Sequence, residues 1–203
     1  MKKKILLVLI LPLLIATQCD EDDVCPGLEE FQGFSITVEN TQAVYNINET
    51  IWLSAAVSST LFNTCTDTEE EVSDPSLFID SIFIVKLVDS NTEINSQITE
   101  ATTIFNIGSQ FIFSSCNDAV NITPVIVDDG FEFFYRLGIQ NAEAGDYCIV
   151  SGWGRSTTIN DGATNNLDIY EAYNNGENTL KFDNCGQTYT RTLEDAIYFF
   201  SVE

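Results

Sequence analysis

The chain has no histidine and only 8 Lys and Arg against 31 Asp and Glu in 203 residues. Without imidazole there is no Ser-His-Asp triad, no His-assisted thiolate, no H-E-x-x-H zinc site and no imidazole pH switch. Lys2, Lys3 and Lys4 lie at the extreme N-terminus, so Lys86, Arg136, Arg155, Lys181 and Arg191 alone face all the acids beyond it. That balance excludes nucleic acid as a partner, because such affinity comes from cations displacing counterions. The apolar run Ile5 to Ile15 has 11 residues, fewer than the about 20 needed to cross a bilayer. No C-x-x-C pair offers zinc a framework, and no heptad or solenoid period is present. The acid-dense stretches Asp67 to Asp74, Asp128-Asp129-Gly130 and Asn160-Asp161-Gly162 do not fit a D-x-[DN]-x-[DN]-G loop. They read as solvated acids, and neither a metal nor a cofactor is expected.

What is present first gives an address. Met1-Lys2-Lys3-Lys4 is a positive n-region, and Ile5 to Ile15 has the length of a secretory h-region. Ala16-Thr17-Gln18-Cys19 follows, then the acids Asp20 to Asp23. A cysteine directly after an h-region resembles the lipobox of bacterial lipoproteins, and the acidic run resembles the export signal of Bacteroidota-type surface lipoproteins. The resemblance implies a diacylglycerol on Cys19 and a mature chain held to the outer membrane, exposed at the cell surface. Residues 1–18 are then a signal peptide, 19–30 an acidic tether and 31–203 a single β-sandwich domain. The other reading is an ordinary signal peptide, with Cys19 merely the first framework cysteine.

An exported chain sits where disulfides persist. Lipidation of Cys19 leaves Cys25, Cys65, Cys116, Cys148 and Cys185, an odd set with one spare thiol. The favoured pairings are Cys148–Cys185 and Cys65–Cys116.

From Phe31 onward, short β-branched and aromatic runs alternate with Asn, Asp, Gly and Ser. Phe34, Ile36 and Val38 alternate with polar residues, as in a half-buried strand. Ile82 to Val88 is apolar except for Lys86 and suits a central strand. Gly108-Ser109 reads as a tight hairpin, and Pro124 demotes Val120 to Val127 to an edge or bulge. Only Ser73 to Ile79 and Asn166 to Tyr173 have helical character, and Asn160 to Asn178 reads as a long excursion. About nine strands with intervening turn signals predict an all-β fold, a β-sandwich. Asn48 to Ser58 resembles the B strand of an immunoglobulin domain, and Ala144 to Val150 its F strand, with Tyr147 as the tyrosine corner. That resemblance implies an immunoglobulin-like sandwich with insertions; other sandwich topologies stay open.

Carboxylates are the one abundant catalytic group. Asn166-Leu167-Asp168-Ile169-Tyr170-Glu171 resembles the E-x-D-x-x-E strand motif of a jelly-roll glycosidase family, with Asn166 where the nucleophile would be. Glycoside hydrolysis needs two facing carboxylates, so this set is incomplete and no catalytic residue is assigned. Gly152-Trp153-Gly154-Arg155 can present an aromatic ring and a planar donor at a loop tip, so Trp153 and Arg155 are the candidate ligand-binding residues. Trp52, on a strand, reads as core. Asp80-Ser81-Ile82 fits a short O-glycosylation pattern. The expectation is a surface-anchored, non-enzymatic module for binding or adhesion, taking a glycan or protein ligand. A carboxylate-based glycoside hydrolase and a structural subunit of an envelope assembly are the alternatives.

Overall fold

A computed structural model describes residues 27–29, 33–89, 94–112, 118–127, 131–152, 157–158 and 166–203. It is an all-β sandwich. The six-stranded sheet is built on β3 (Thr50–Ser58) and β12 (Glu132–Gln140), antiparallel over their whole length. On the far side of β3 come β1 (Ser35–Val38) and, parallel to it, β14 (Thr157–Thr158). On the far side of β12 lie β8 (Thr102–Ile107) and β11 (Val125–Val127). The seven-stranded sheet runs from β2 (Val44–Tyr45) through β17 (Ala196–Val202) and β13 (Gly145–Ser151) to β6 (Asp80–Leu87). Two short strands then share β6: β7 (Ser96–Ile98) pairs its end, and β10 (Val120–Thr123), flanked by β9 (Ser109–Phe111), pairs its start.

Burial follows the layers. In β3 and β12, Ile51, Leu53, Ala55, Phe133, Tyr135, Leu137 and Ile139 point inward, and most of the residues between them are half-exposed. They meet Ile82, Ile84, Tyr147, Ile149 and Phe200 of the other sheet in one core. The opposite face of the seven-stranded sheet is also covered. There Phe83, Val85, Cys148, Val150 and Phe199 pack under Tyr170 of the helix α1 (Leu167–Glu171) and under Leu180 and Phe182 of β15 (Thr179–Asn184). β15 is closed as a hairpin with β16 (Gln187–Thr192) through Cys185 and Gly186, both at positive φ as a two-residue I′-type turn requires. This third layer explains why β6 and β17 read as continuous apolar runs: both their faces are buried.

The strand order β1-β3-β12 followed by β11 matches the A-B-E-D order of an immunoglobulin sandwich, and β17-β13-β6 matches G-F-C. The Tyr147 hydroxyl donates to the Glu143 carbonyl at 2.9 Å, the bond that defines a tyrosine corner. Thr179 to Thr192, just beyond the expected excursion and where the sequence predicts no strand, forms the capping hairpin. The expected hairpin at Gly108 is instead a corner. β8 pairs in one sheet, and β9 continues after Gly108 into the other. Gly108 has φ +87°, and a Cβ there would stand 2.9 Å from the Thr123 carbonyl oxygen. Its neighbour across the corner, Pro124, breaks β10 from β11 in the same way; where an edge or bulge was expected, the chain crosses between sheets, and β10 is paired on both sides.

A second compact unit contains Phe62–Glu70, with Gly27–Glu29 as its described N-terminal residues. Its hairpin links β4 (Thr60–Asn63) to β5 (Thr68–Glu71). Leu28 bridges Asn63, the Glu29 N–H reaches the Phe62 carbonyl at 2.8 Å, and the Thr64 N–H reaches the Gly27 carbonyl at 2.9 Å. Gly27–Glu29, expected as tether, therefore pairs with this hairpin.

Candidate functional site

Because β7 and β10 each cover only part of β6, the ladder beside Phe83 and Ile84 is interrupted. The Ile84 carbonyl is met there by the Thr99 N–H at 3.0 Å. A groove of about 860 Å³ opens at this gap, within the size range of small-molecule sites. Its floor includes Ile84, Ala101 and Val120, and its rim carries Gln97, Gln110, Glu100 and Asp118. Asp118 is held in place by the Cys185 N–H at 3.2 Å. An apolar floor edged by amides and acids suits recognition of a neutral or cationic group.

Residues 97–100 form a rib, and beyond it lies a second groove of about 460 Å³. One wall is this rib, which leads from β7 in one sheet toward β8 in the other. The opposite wall is Asn141-Ala142-Glu143, the link from β12 to β13. Lys86 and Tyr147 complete it. Lys86 Nζ lies 3.3 Å from Glu143 and 5.7 Å from the Tyr147 ring centre. Burial pushes the Tyr147 phenol up, partly offset by the Lys86 charge. Both polar ends of the Asn141 side chain are enclosed and have no hydrogen-bond partner.

Comparison with protein families, with curated proteins and with solved structures finds no match.

Cys19, Trp153 and Arg155 fall outside the described residues. The end of β13, ahead of Trp153 in the chain, is clamped, since Arg191 donates to the carbonyls of Ser151 at 3.3 Å and Gly152 at 2.6 Å. The expected Cys148–Cys185 bridge is corrected: Cys148 is a free thiol with no exposed surface, and Cys185 sits at the hairpin tip. Cys148 points into the layer beneath β15, and burial pushes its thiol up. Cys65 and Cys185 are each disulfide-bonded, and Cys116, the expected partner of Cys65, is outside the described residues.

The glycosidase-like segment does not form a strand. Asn166 precedes α1, and Asp168 and Glu171 are exposed on that helix, so they do not line the face of a sheet. Among the described residues no group of three or more Cys, Asp or Glu is placed to hold a metal ion. Ser81 is buried in β6, so the folded chain does not present its hydroxyl for glycosylation.

Trp52 departs from its expected place in the core. It lies half-exposed on the outer face of the six-stranded sheet, over Gly138, where a Cβ would come within 2.7 Å of Thr50 and 3.0 Å of the indole. The Arg136 guanidinium stacks 4.0 Å from the ring centre and forks onto Glu39 at 2.6 to 3.1 Å. That guanidinium holds the Glu39 carboxyl below its usual range. Nothing in the sequence marks Asn141 or the rib, because their roles come from two short strands sharing one neighbour.

Proposed function

We propose that this chain is a surface-anchored lipoprotein that acts as a non-enzymatic binding module, with the groove beside β6 receiving a protein or glycan ligand. The observation that carries the reading is the gap between β7 and β10, which leaves an apolar floor and a polar rim on a rigid sheet. The n-region, the h-region and Cys19 supply the anchor. The surrounding acids favour a neutral or basic ligand over an acidic one.

Two measurements test the two halves. Labelling with a palmitate analogue should mark the intact protein and fail for Cys19→Ala; a labelled Cys19→Ala chain rules the anchor out. Immobilised protein should retain the same ligand from envelope extracts or a glycan array in repeated trials. Gln110→Trp, placed at the exposed rim, should lose that ligand. Equal retention by both proteins rejects the groove.

A second reading, a structural subunit of an envelope assembly, is favoured by β9. Among the described residues that strand ends its sheet, and it is exposed along its length, as is the following Ile112. Mass that rises with concentration in wild type but not in Phe111→Lys would support it.

A further inference from the structure

An asparagine amide carries a donor and an acceptor side by side, and two asparagines among the described residues use the pair in one way. Asn40 Nδ2 donates to the Thr50 carbonyl at 3.0 Å, while Asn40 Oδ1 accepts the Trp52 N–H at 3.0 Å. Asn95 Nδ2 donates to the Thr179 carbonyl at 2.8 Å, while its Oδ1 accepts the Lys181 N–H at 2.9 Å. In each case the amide takes the C=O of residue i and the N–H of residue i+2. An extended strand points these two groups to the same side, so the side chain stands in for a neighbouring strand.

Asn141 has the same pair and nothing to put on it. The residue is 3% exposed, and neither Nδ2 nor Oδ1 has a partner. Its backbone is fixed, since its carbonyl accepts the Asn48 N–H at 2.9 Å. An enclosed polar group left unpaired costs roughly 1–3 kcal/mol, so a native chain keeps one only where something else repays it. The residue also lines the smaller groove.

We propose that Asn141 clamps an extended stretch of a partner polypeptide, pairing its C=O at one residue and its N–H two residues on. This rests on the binding-module reading, with the ligand reaching past the rib from the groove beside β6 into the smaller groove, and names that ligand's chemistry. The rim that gives way is the Lys86–Glu143 pair, a weak contact because Glu143 is 76% exposed. Glu100 and Glu143 outnumber Lys86 around the groove, so the bound segment carries neutral or basic side chains.

The test uses the mature chain labelled with nitrogen-15 and the probe N-acetyl-Thr-Val-Thr-N-methylamide. Two controls accompany it: the same peptide methylated at every amide nitrogen, and D-galactose. The Asn141 side-chain NH₂ signals, assigned by their absence in Asn141→Ala, should shift saturably with the peptide and stay still with both controls. Asn141→Ala should bind the peptide about tenfold or more weakly, the factor that corresponds to about 1.4 kcal/mol. Its melting temperature should not fall, because the substitution removes two unpaired groups. Still signals in the presence of the peptide, or an equal shift with the methylated peptide, overturn the clamp. A shift with galactose in place of the peptide overturns it in favour of a sugar site. If Gln110→Trp loses the natural ligand while Asn141→Ala keeps it, the clamp fails and the binding module stands.

Discussion

Tyrosine hydroxyls do much of the fastening in this chain. Tyr45, Tyr135, Tyr147, Tyr170 and Tyr198 are all fully buried. The hydroxyls of Tyr45 and Tyr198 donate to the carbonyls of Asn40 and Gln42, and that of Tyr170 donates to Thr179. Each ring fills core volume; Tyr45 and Tyr198 pin the segment from Asn40 to Gln42, which no sheet ladder holds, and Tyr170 fastens the first residue of β15. Tyr147→Phe keeps the ring and loses the corner, so it should cost about 1 kcal/mol, read as a lower urea midpoint with an unchanged slope. Tyr135→Phe should cost more. The Tyr135 hydroxyl meets the buried Asp80 carboxylate at 2.6 Å, and removing it takes a donor from an anion inside the sandwich. Glu39 gives the pH test. Its folded carboxyl titrates below the unfolded value of 4.5 because Arg136 holds it ionised. Its contribution is therefore complete above about pH 4.5 and fades as pH falls through the folded value. Glu39→Gln should lose less than about 1 kcal/mol at pH 7 and match wild type in strong acid.

Among the elements, those that the sequence disclosed are those whose periodicity a single sheet imposes. β1 and β3 alternate because one of their faces meets the core, and β6 runs apolar because two layers cover it. The shortness of the Pro75–Phe78 turn and of α1 was also legible. The capping hairpin was half legible: Asn184-Cys185-Gly186 reads as a turn, but β16 has Thr and Gln where burial is slight, so no pattern announces a strand. Trp52 misled because an aromatic on a strand is usually core, whereas here it lies flat over Gly138. Gly138→Ala should push the indole off the sheet, cost about 1–3 kcal/mol in the melting curve and shift the tryptophan emission. The grooves were illegible, since β7 has three residues and the gap beside β6 exists only when both short strands are placed.

Across the sandwich domain, the third layer decides which groups are reachable. Cys148 lies under it with no exposed surface, so a thiol reagent should not react with it until global unfolding. Its labelling rate should follow the urea dependence of circular dichroism. A rate that is fast in native buffer would mean that β15 and β16 lift away by themselves. The net charge of −23 acts on the same scale. Mutual repulsion among the acids should make the chain more stable in moderate salt than in dilute buffer, seen as a rise in melting temperature with added sodium chloride.

The kinked passages through Gly108 and Pro124 make the two long edges of the sandwich unequal. On one edge, the chain passes from a strand of one sheet to a strand of the other through a single kinked residue, like the sewn spine of a book. On the other, the crossing at Asn40 to Gln42 is held by phenols instead of a ladder. Deuterium should therefore enter β2 and β14 well before β10, which is paired on both sides, and whatever prises the leaves apart must start at the fore-edge.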